Sequence, residues 1–202
     1  QAAIDGGADV ILAGEFGCPS SGDAAENNSF MDEIRDVIRN VDRPLFLVAG
    51  SRHTPSAPKR PSPYNANVAM LFGGDPDHPD FEESLADQPI KHFKRSPSIS
   101  LMERIFSPES EVLPVYMTPF CNFGLLICSD AFDTQILFSF LRQNSIRHHR
   151  TQVILIPSFN KSDLFYDACR YLSYLANATV IVLNSYSKPR FPEPALRVFT
   201  AG

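Results

Sequence analysis

The chain has 202 residues, of which 44% are hydrophobic and 20% charged, with a formal net charge of -5. That length gives one large domain or at most two small ones, with enough core to fold without disulfide staples. The mildly acidic balance offers no general field to nucleic acid or anionic lipid, and no run approaches the roughly 18 apolar residues of a membrane span.

The 17 prolines exceed the roughly 5% of an average protein and predict several proline-rich loops. Four scattered cysteines (Cys18, Cys121, Cys128, Cys169) form no CxxC or CxxH spacing. With no basic-then-apolar leader at the start, they read as reduced thiols in a cytoplasmic compartment. Opening at Gln1, the chain reads as a single domain over 1–202 cut from a longer protein.

In chain order, residues 1–7 read as the end of a helix and Ala8 to Gly14 as a buried strand. Ser29-Phe30-Met31-Asp32 resembles a helix-start box, and Phe30, Ile34, Val37, Ile38 and Val41 then share one helical face. Leu45 to Gly50 is a second buried strand. Segment 51–63 is expected to be a loop, since its prolines repeatedly remove backbone donors. Asn65 to Phe72 reads as a strand, 75–87 as an acidic loop, and Ile90 to Lys94 as a short extended piece.

Val112 to Thr118 and Phe123 to Cys128 suggest two strands joined by a tight hairpin. Ile136, Leu137, Phe140 and Leu141 follow at helical spacing. Val153 to Ile156 is a strand, Asp163 to Asn177 a helix, and Val180 to Leu183 a strand. Apolar strands separated by amphipathic helices argue for sheets covered on at least one face, and the central hairpin argues against a purely parallel sheet. A mixed α/β sandwich fits.

Cys128 is the sharpest chemical feature. It closes an apolar run and leads through Ser129-Asp130 toward a helix, where a helix dipole would favour a thiolate and free amides would favour an oxyanion. A strand cysteine more often simply packs. Glu15 leaves a buried strand into a Gly/Pro/Ser-rich loop, the place for a desolvated general base or an ordinary solvated acid. Lys94 lies among the cations of Lys91-His92-Phe93-Lys94-Arg95, which otherwise suits a protected edge strand. Glu103, nine positions on, carries no signal by itself. His53 and His78 sit in proline-rich segments, and His148-His149 suit a capped helix end.

Taken together, these segments resemble the carbon–nitrogen hydrolase (nitrilase/amidase) superfamily. Ala8 to Glu15 is similar to the strand ending in that family's first catalytic glutamate. Lys94-Arg95-Ser96-Pro97-Ser98 with Glu103 is similar to its lysine segment and following glutamate, although Lys91 can be aligned instead. Phe123-Gly124-Leu125-Leu126-Ile127-Cys128-Ser129-Asp130 is similar to its Cys-x-Asp nucleophile motif, and Val153 to Ser158 and Val180 to Asn184 complete the order. Gly14 departs from the family's proline before the glutamate, and the family's opening strand and the segment after Asn184 are not matched.

The resemblance implies an α-β-β-α sandwich and hydrolysis of a small-molecule amide, nitrile or carbamoyl substrate through a Cys128 thioester. In it Glu15 is the proton carrier and Lys94 the oxyanion stabiliser, with Glu103 and Ser129 at the substrate. It further implies a homodimer and no cofactor, while the acidic balance and the lack of a long apolar run leave no nucleic-acid or membrane partner expected. Acyl transfer would use the same thioester. A binding or regulatory module of a larger protein is the alternative from another functional class.

Overall fold

The structure, a computed structural model, describes residues 2–15, 24–55, 64–74, 90–98, 113–118, 120–144, 150–186 and 195–201. Two sheets lie among them. The first runs in the order β1 (Val10–Leu12), β2 (Leu45–Pro55), β3 (Tyr64–Gly74), β4 (Ile90–Phe93), with β1 parallel to β2 and the other pairs antiparallel. The second runs β5 (Val115–Met117), β6 (Asn122–Leu125), β7 (Val153–Ser158), β8 (Thr179–Asn184), β9 (Ala195–Phe199). Its β6-β7-β8 centre is parallel and both its edges are antiparallel. The helices are α1 (Ala2–Asp5), α2 (Ala24–Arg39), α3 (Thr134–Asn144) and α4 (Leu164–Ala176).

Alternation along the strands sorts the apolar side chains into three layers of core, because successive residues face opposite sides of a sheet. Leu45 and Ala49 of β2 pack with Met31 and Ile38 of α2, while Phe46 and Val48 turn to the other sheet. There they meet Tyr116, Phe123, Leu125 and Leu155, and the Phe46 ring stands edge-on to Phe123 at 4.4 Å. On the far side Ile154, Ile156, Val180 and Val182 pack under Phe165, Cys169 and Leu172 of α4. Helix on sheet, sheet on sheet, sheet on helix: this is an α-β-β-α sandwich. No helix among the described residues is long and apolar enough to cross a membrane.

Three local expectations change. The second helix begins at Ala24 rather than at the Ser29 box, because Ala24-Ala25-Glu26 are good helix formers that carry it upstream. Strand β2 continues through 51–55, where a loop was expected, since Pro55 falls at its last position and loses little by lacking a donor. Strand β9 has no counterpart in the sequence reading, hidden behind the Pro192 and Pro194 punctuation of the segment before it. The expected loop 75–87 lies outside the described residues.

Candidate active site

Glu15 follows β1 and forms an isolated parallel bridge with Ser51. That bridge depends on an irregularity in β2, where the register shifts between Val48 and Ser51 and Gly50 takes φ 83, a value glycine adopts without strain. Lys94 is the first residue past β4. Its Nζ donates to Glu15 Oε1 at 3.0 Å, and both side chains are 0% exposed. Glu15 Oε2 accepts the Phe159 N–H at 2.7 Å from the loop after β7. A buried carboxylate and ammonium thus satisfy each other between the two sheets, as burial of charge requires.

Cys128 opens the 3-10 helix Cys128–Phe132 directly after the buried Leu125-Leu126-Ile127 run. Its φ of 49 lies in the left-handed region, a costly conformation for a residue with a side chain and one that concentrates at functional sites. Burial pushes the thiol up to about 11, and the Glu15 carboxylate adds to the rise. Lys94, the Phe159 N–H and the Ser158 hydroxyl pull the other way. The expected dipole-favoured thiolate is therefore corrected: one short helical turn does not offset a dry site facing a carboxylate. The sulfur rests as a thiol.

The lysine segment is stitched to the cysteine turn. Asp130 accepts the N–H groups of Arg95, Ser96 and Ile127 at 2.9, 2.7 and 3.0 Å. Burial nevertheless pushes its carboxyl up to about 6. Ser129 Oγ donates to the Ser96 carbonyl at 2.6 Å, and the Ser96 hydroxyl donates to Asp133. The two residues after Lys94 are thereby fixed to the turn that carries Cys128. Removing Asp130 would orphan three amides at once.

The structure brings Glu15, Lys94 and Cys128 into one electrostatic neighbourhood. Lys91 points elsewhere: it is exposed on β4, an edge strand, as a protective edge lysine would be. Ser129 uses its hydroxyl for the stitch, leaving its amide in the opening turn of the 3-10 helix. Glu103, His78 and His148-His149 lie outside the described residues, and His53 stands in β2 rather than in a loop. Among the described residues no group of three or more His, Cys, Asp or Glu could hold a metal ion.

Sequence reasoning missed several neighbours. His92 is buried with Nδ1 2.9 Å from Tyr116 Oη; burial, then Arg95, lowers its pKa to about 3, so it stays neutral. Ser158, Phe159 and Asn160 follow one another out of β7, and their only sequence signal was the end of an apolar run. Gly14 has a local reason as well. A Cβ there would stand 1.8 Å from Ser185 Oγ, so the serine occupies the space that any larger residue before Glu15 would need.

No family profile and no curated protein matches the chain. Solved structures do. The chain is similar to a glutamate-to-glutamine variant of the amidase from Nesterenkonia sp. AN1 with acrylamide added at its active-site cysteine. The two share 17% identity over 98% of this chain and 82% of that one, with a TM-score of 0.64. It is also similar to that amidase carrying the acetamide moiety of fluoroacetamide on the cysteine (14% identity, 99% and 72% covered, TM-score 0.62). A cysteine-to-alanine variant in complex with butyramide gives the same picture (14% identity, 99% and 73% covered, TM-score 0.62). What these likenesses establish is architecture: the chain has the fold of amidases of the nitrilase superfamily.

Proposed function

We propose that this protein is a carbon–nitrogen hydrolase that cleaves a small amide, nitrile or carbamoyl compound through a thioester on Cys128. The observation that carries this reading is the wholly buried Glu15–Lys94 pair whose two charges both act on the Cys128 thiol. A thiol at about 11 needs a base, and the Glu15 carboxylate, whose charge acts on that thiol, is assigned the role. The fold shared with amidases that take up small amides at a cysteine supports the substrate class.

In the proposed cycle Glu15 takes the thiol proton as sulfur attacks the carbonyl carbon of an amide or carbamoyl compound. On a nitrile the attack gives a thioimidate, to which a first water adds before ammonia leaves and the thioester forms. The carbonyl oxygen, now negative, is stabilised by the Lys94 ammonium and the Ser129 amide. As the C–N bond breaks, Glu15 returns the proton to the departing amine or ammonia. It then takes a proton from water as the water oxygen attacks the thioester, and gives that proton to the departing sulfur, which restores the thiol and releases the acid. Glu103 is assigned an orienting role toward Lys94 or the substrate amide. Transfer to an amine instead of water would follow the same steps.

The test is intact-mass spectrometry after exposure to acrylamide, fluoroacetamide, butyramide and a nitrile series, with ammonia release measured in parallel. With butyramide and the nitriles an acyl adduct on Cys128, absent in Cys128→Ala, is expected; acrylamide and fluoroacetamide label the thiol by alkylation and do not count as acylation. Glu15→Gln should lower turnover at least about 10²-fold, the usual weight of a positioned base. A second reading, a binding module without turnover, has the resting protonated thiol on its side. It is chosen if no compound acylates the chain.

The reading includes a homodimer. Leu164, Tyr171 and Tyr174 line the outer face of α4 and Phe138 of α3 is also exposed, an apolar surface that a second copy would cover. Sedimentation should show a dimer that Tyr171→Glu dissociates.

A further inference from the structure

The loop after β7 reaches both halves of the site with consecutive residues. Phe159 gives its N–H to Glu15, and Asn160 places Nδ2 3.9 Å from Cys128 Sγ. The orientation of the Asn160 amide follows from its surroundings. Its Oδ1 accepts the Ser162 N–H at 2.8 Å, so the end that faces sulfur is the NH2 end, a donor only.

A second asparagine holds the loop from below. Asn184, at the end of β8 and buried, accepts the Asn160 N–H at 3.0 Å and donates to the Asn160 carbonyl at 2.8 Å. Its Nδ2 is also 3.0 Å from Tyr166 Oη on α4, and its Oδ1 accepts the Tyr186 N–H as well. The backbone of Asn160 is thus clamped on both faces and its side chain on one end. Little freedom remains except approach to the sulfur.

We propose that Asn160 is a further positioning residue of the site, an amide donor preset to bind the Cys128 sulfur once it becomes a thiolate. The contact is long for a neutral thiol and shortens when the sulfur takes up charge, since charge-assisted hydrogen bonds are shorter and stronger. Asn160 thereby offsets part of what burial and Glu15 impose on the thiol, and it steers the lone pair that attacks. The inference rests on Cys128 being the nucleophile, but its test needs no substrate.

The full chain and its Asn160→Ala and Asn160→Asp variants are alkylated with iodoacetamide across a pH series, and Cys128 is quantified by peptide mass spectrometry. In Asn160→Ala the rate on Cys128 should fall about tenfold at a fixed pH below the midpoint, with the midpoint displaced upward by about one pH unit, equivalent to about 1.4 kcal/mol. Asn160→Asp keeps the shape and the acceptor for Ser162 but replaces the donor by a carboxylate, so it should fall further. Should the alanine variant fail to fold, the isosteric aspartate carries the same comparison.

Unchanged pH profiles in both variants, with or without a loss of thermal stability, overturn the proposal, as does a Cys128 that stays unlabelled in the unaltered protein. Loss of hydrolysis in the panel above leaves a changed alkylation profile standing. An unchanged profile in an active hydrolase removes Asn160 and leaves the hydrolase.

Discussion

The two sheets contribute to the site in different ways. The five-stranded sheet supplies Cys128 from a run in which every neighbour, Leu125 to Ile127, is buried apolar packing, with Ile154, Ile156 and α4 closing the far face. The four-stranded sheet supplies Glu15 and Lys94 from positions just beyond its strands, and neither is held by its own sheet alone. Glu15 leans on the Phe159 N–H, and the lysine segment leans on Asp130 and Ser129, all from the other side. One half is stabilised by non-directional burial, the other by directional bonds that exist only when the sheets are docked. The charged half is therefore the part that reports docking.

The largest expected effect separates the two kinds of support. Lys94→Met leaves the Glu15 carboxylate buried without its cation and should cost about 3–5 kcal/mol, while Ile154→Ala should cost about 2–5 kcal/mol through a cavity. The distinguishing measurement is a double-mutant cycle in chemical denaturation. Glu15→Gln with Lys94→Met should cost much less than the sum of the singles, because the pair is removed together. Lys94→Met with Ile154→Ala should add. Additivity in the first cycle would mean that the two buried charges do not stabilise each other.

This contrast also governs what could be read from sequence. Strands such as Val153 to Ser158 announce themselves by continuous apolar character, and Cys128 by its place at the end of one. Lys94 and Lys91 carry the same charge three residues apart in one basic segment. Nothing in composition says that one is wholly buried on a glutamate 79 positions earlier while the other faces solvent. The resemblance favoured Lys94 and left Lys91 open; strand register and burial separate them. Asp130 was legible as part of a motif, but its function as a stitch was not, since its three donors come from its own turn and from a distant segment. Asn160 had no signal at all, and Asn184 only its place at the end of a matched strand, because polar residues at strand ends are the rule. The thiolate expected from the helix dipole failed for a related reason: burial and the facing carboxylate are properties of the packed state.

Asp130 sharpens the comparison through pH. Its carboxyl is raised from 3.8 to about 6, chiefly by burial. A group raised in the folded state contributes stability that is fully present below its unfolded value and is lost as pH rises through its folded one. The contribution is on the order of 3 kcal/mol, acting between about pH 4 and 6. Denaturation midpoints of the unaltered chain and Asp130→Asn, measured from pH 4 to 7, should differ by a component that falls with rising pH and is absent in the variant. A parallel pair of curves would show that the stitch carries no proton in this range.

The smallest effect tests how closely the charged half is fitted. Ser185 Oγ fills the space beside Gly14, and Ser185 N–H is itself bonded to the Ser158 carbonyl at 2.8 Å, so the serine backbone is not free to retreat. Gly14→Ala should therefore force the hydroxyl to rotate away, at a cost of about 1–2 kcal/mol typical of overpacking. Ser185→Gly empties the same space and should remove most of that cost in the double variant, leaving Glu15 where it is. The measurement is the denaturation midpoint of the two singles and the double. If the double is as unstable as Gly14→Ala alone, the serine is not what limits the residue before Glu15, and the added methyl must be displacing the glutamate from Lys94 itself.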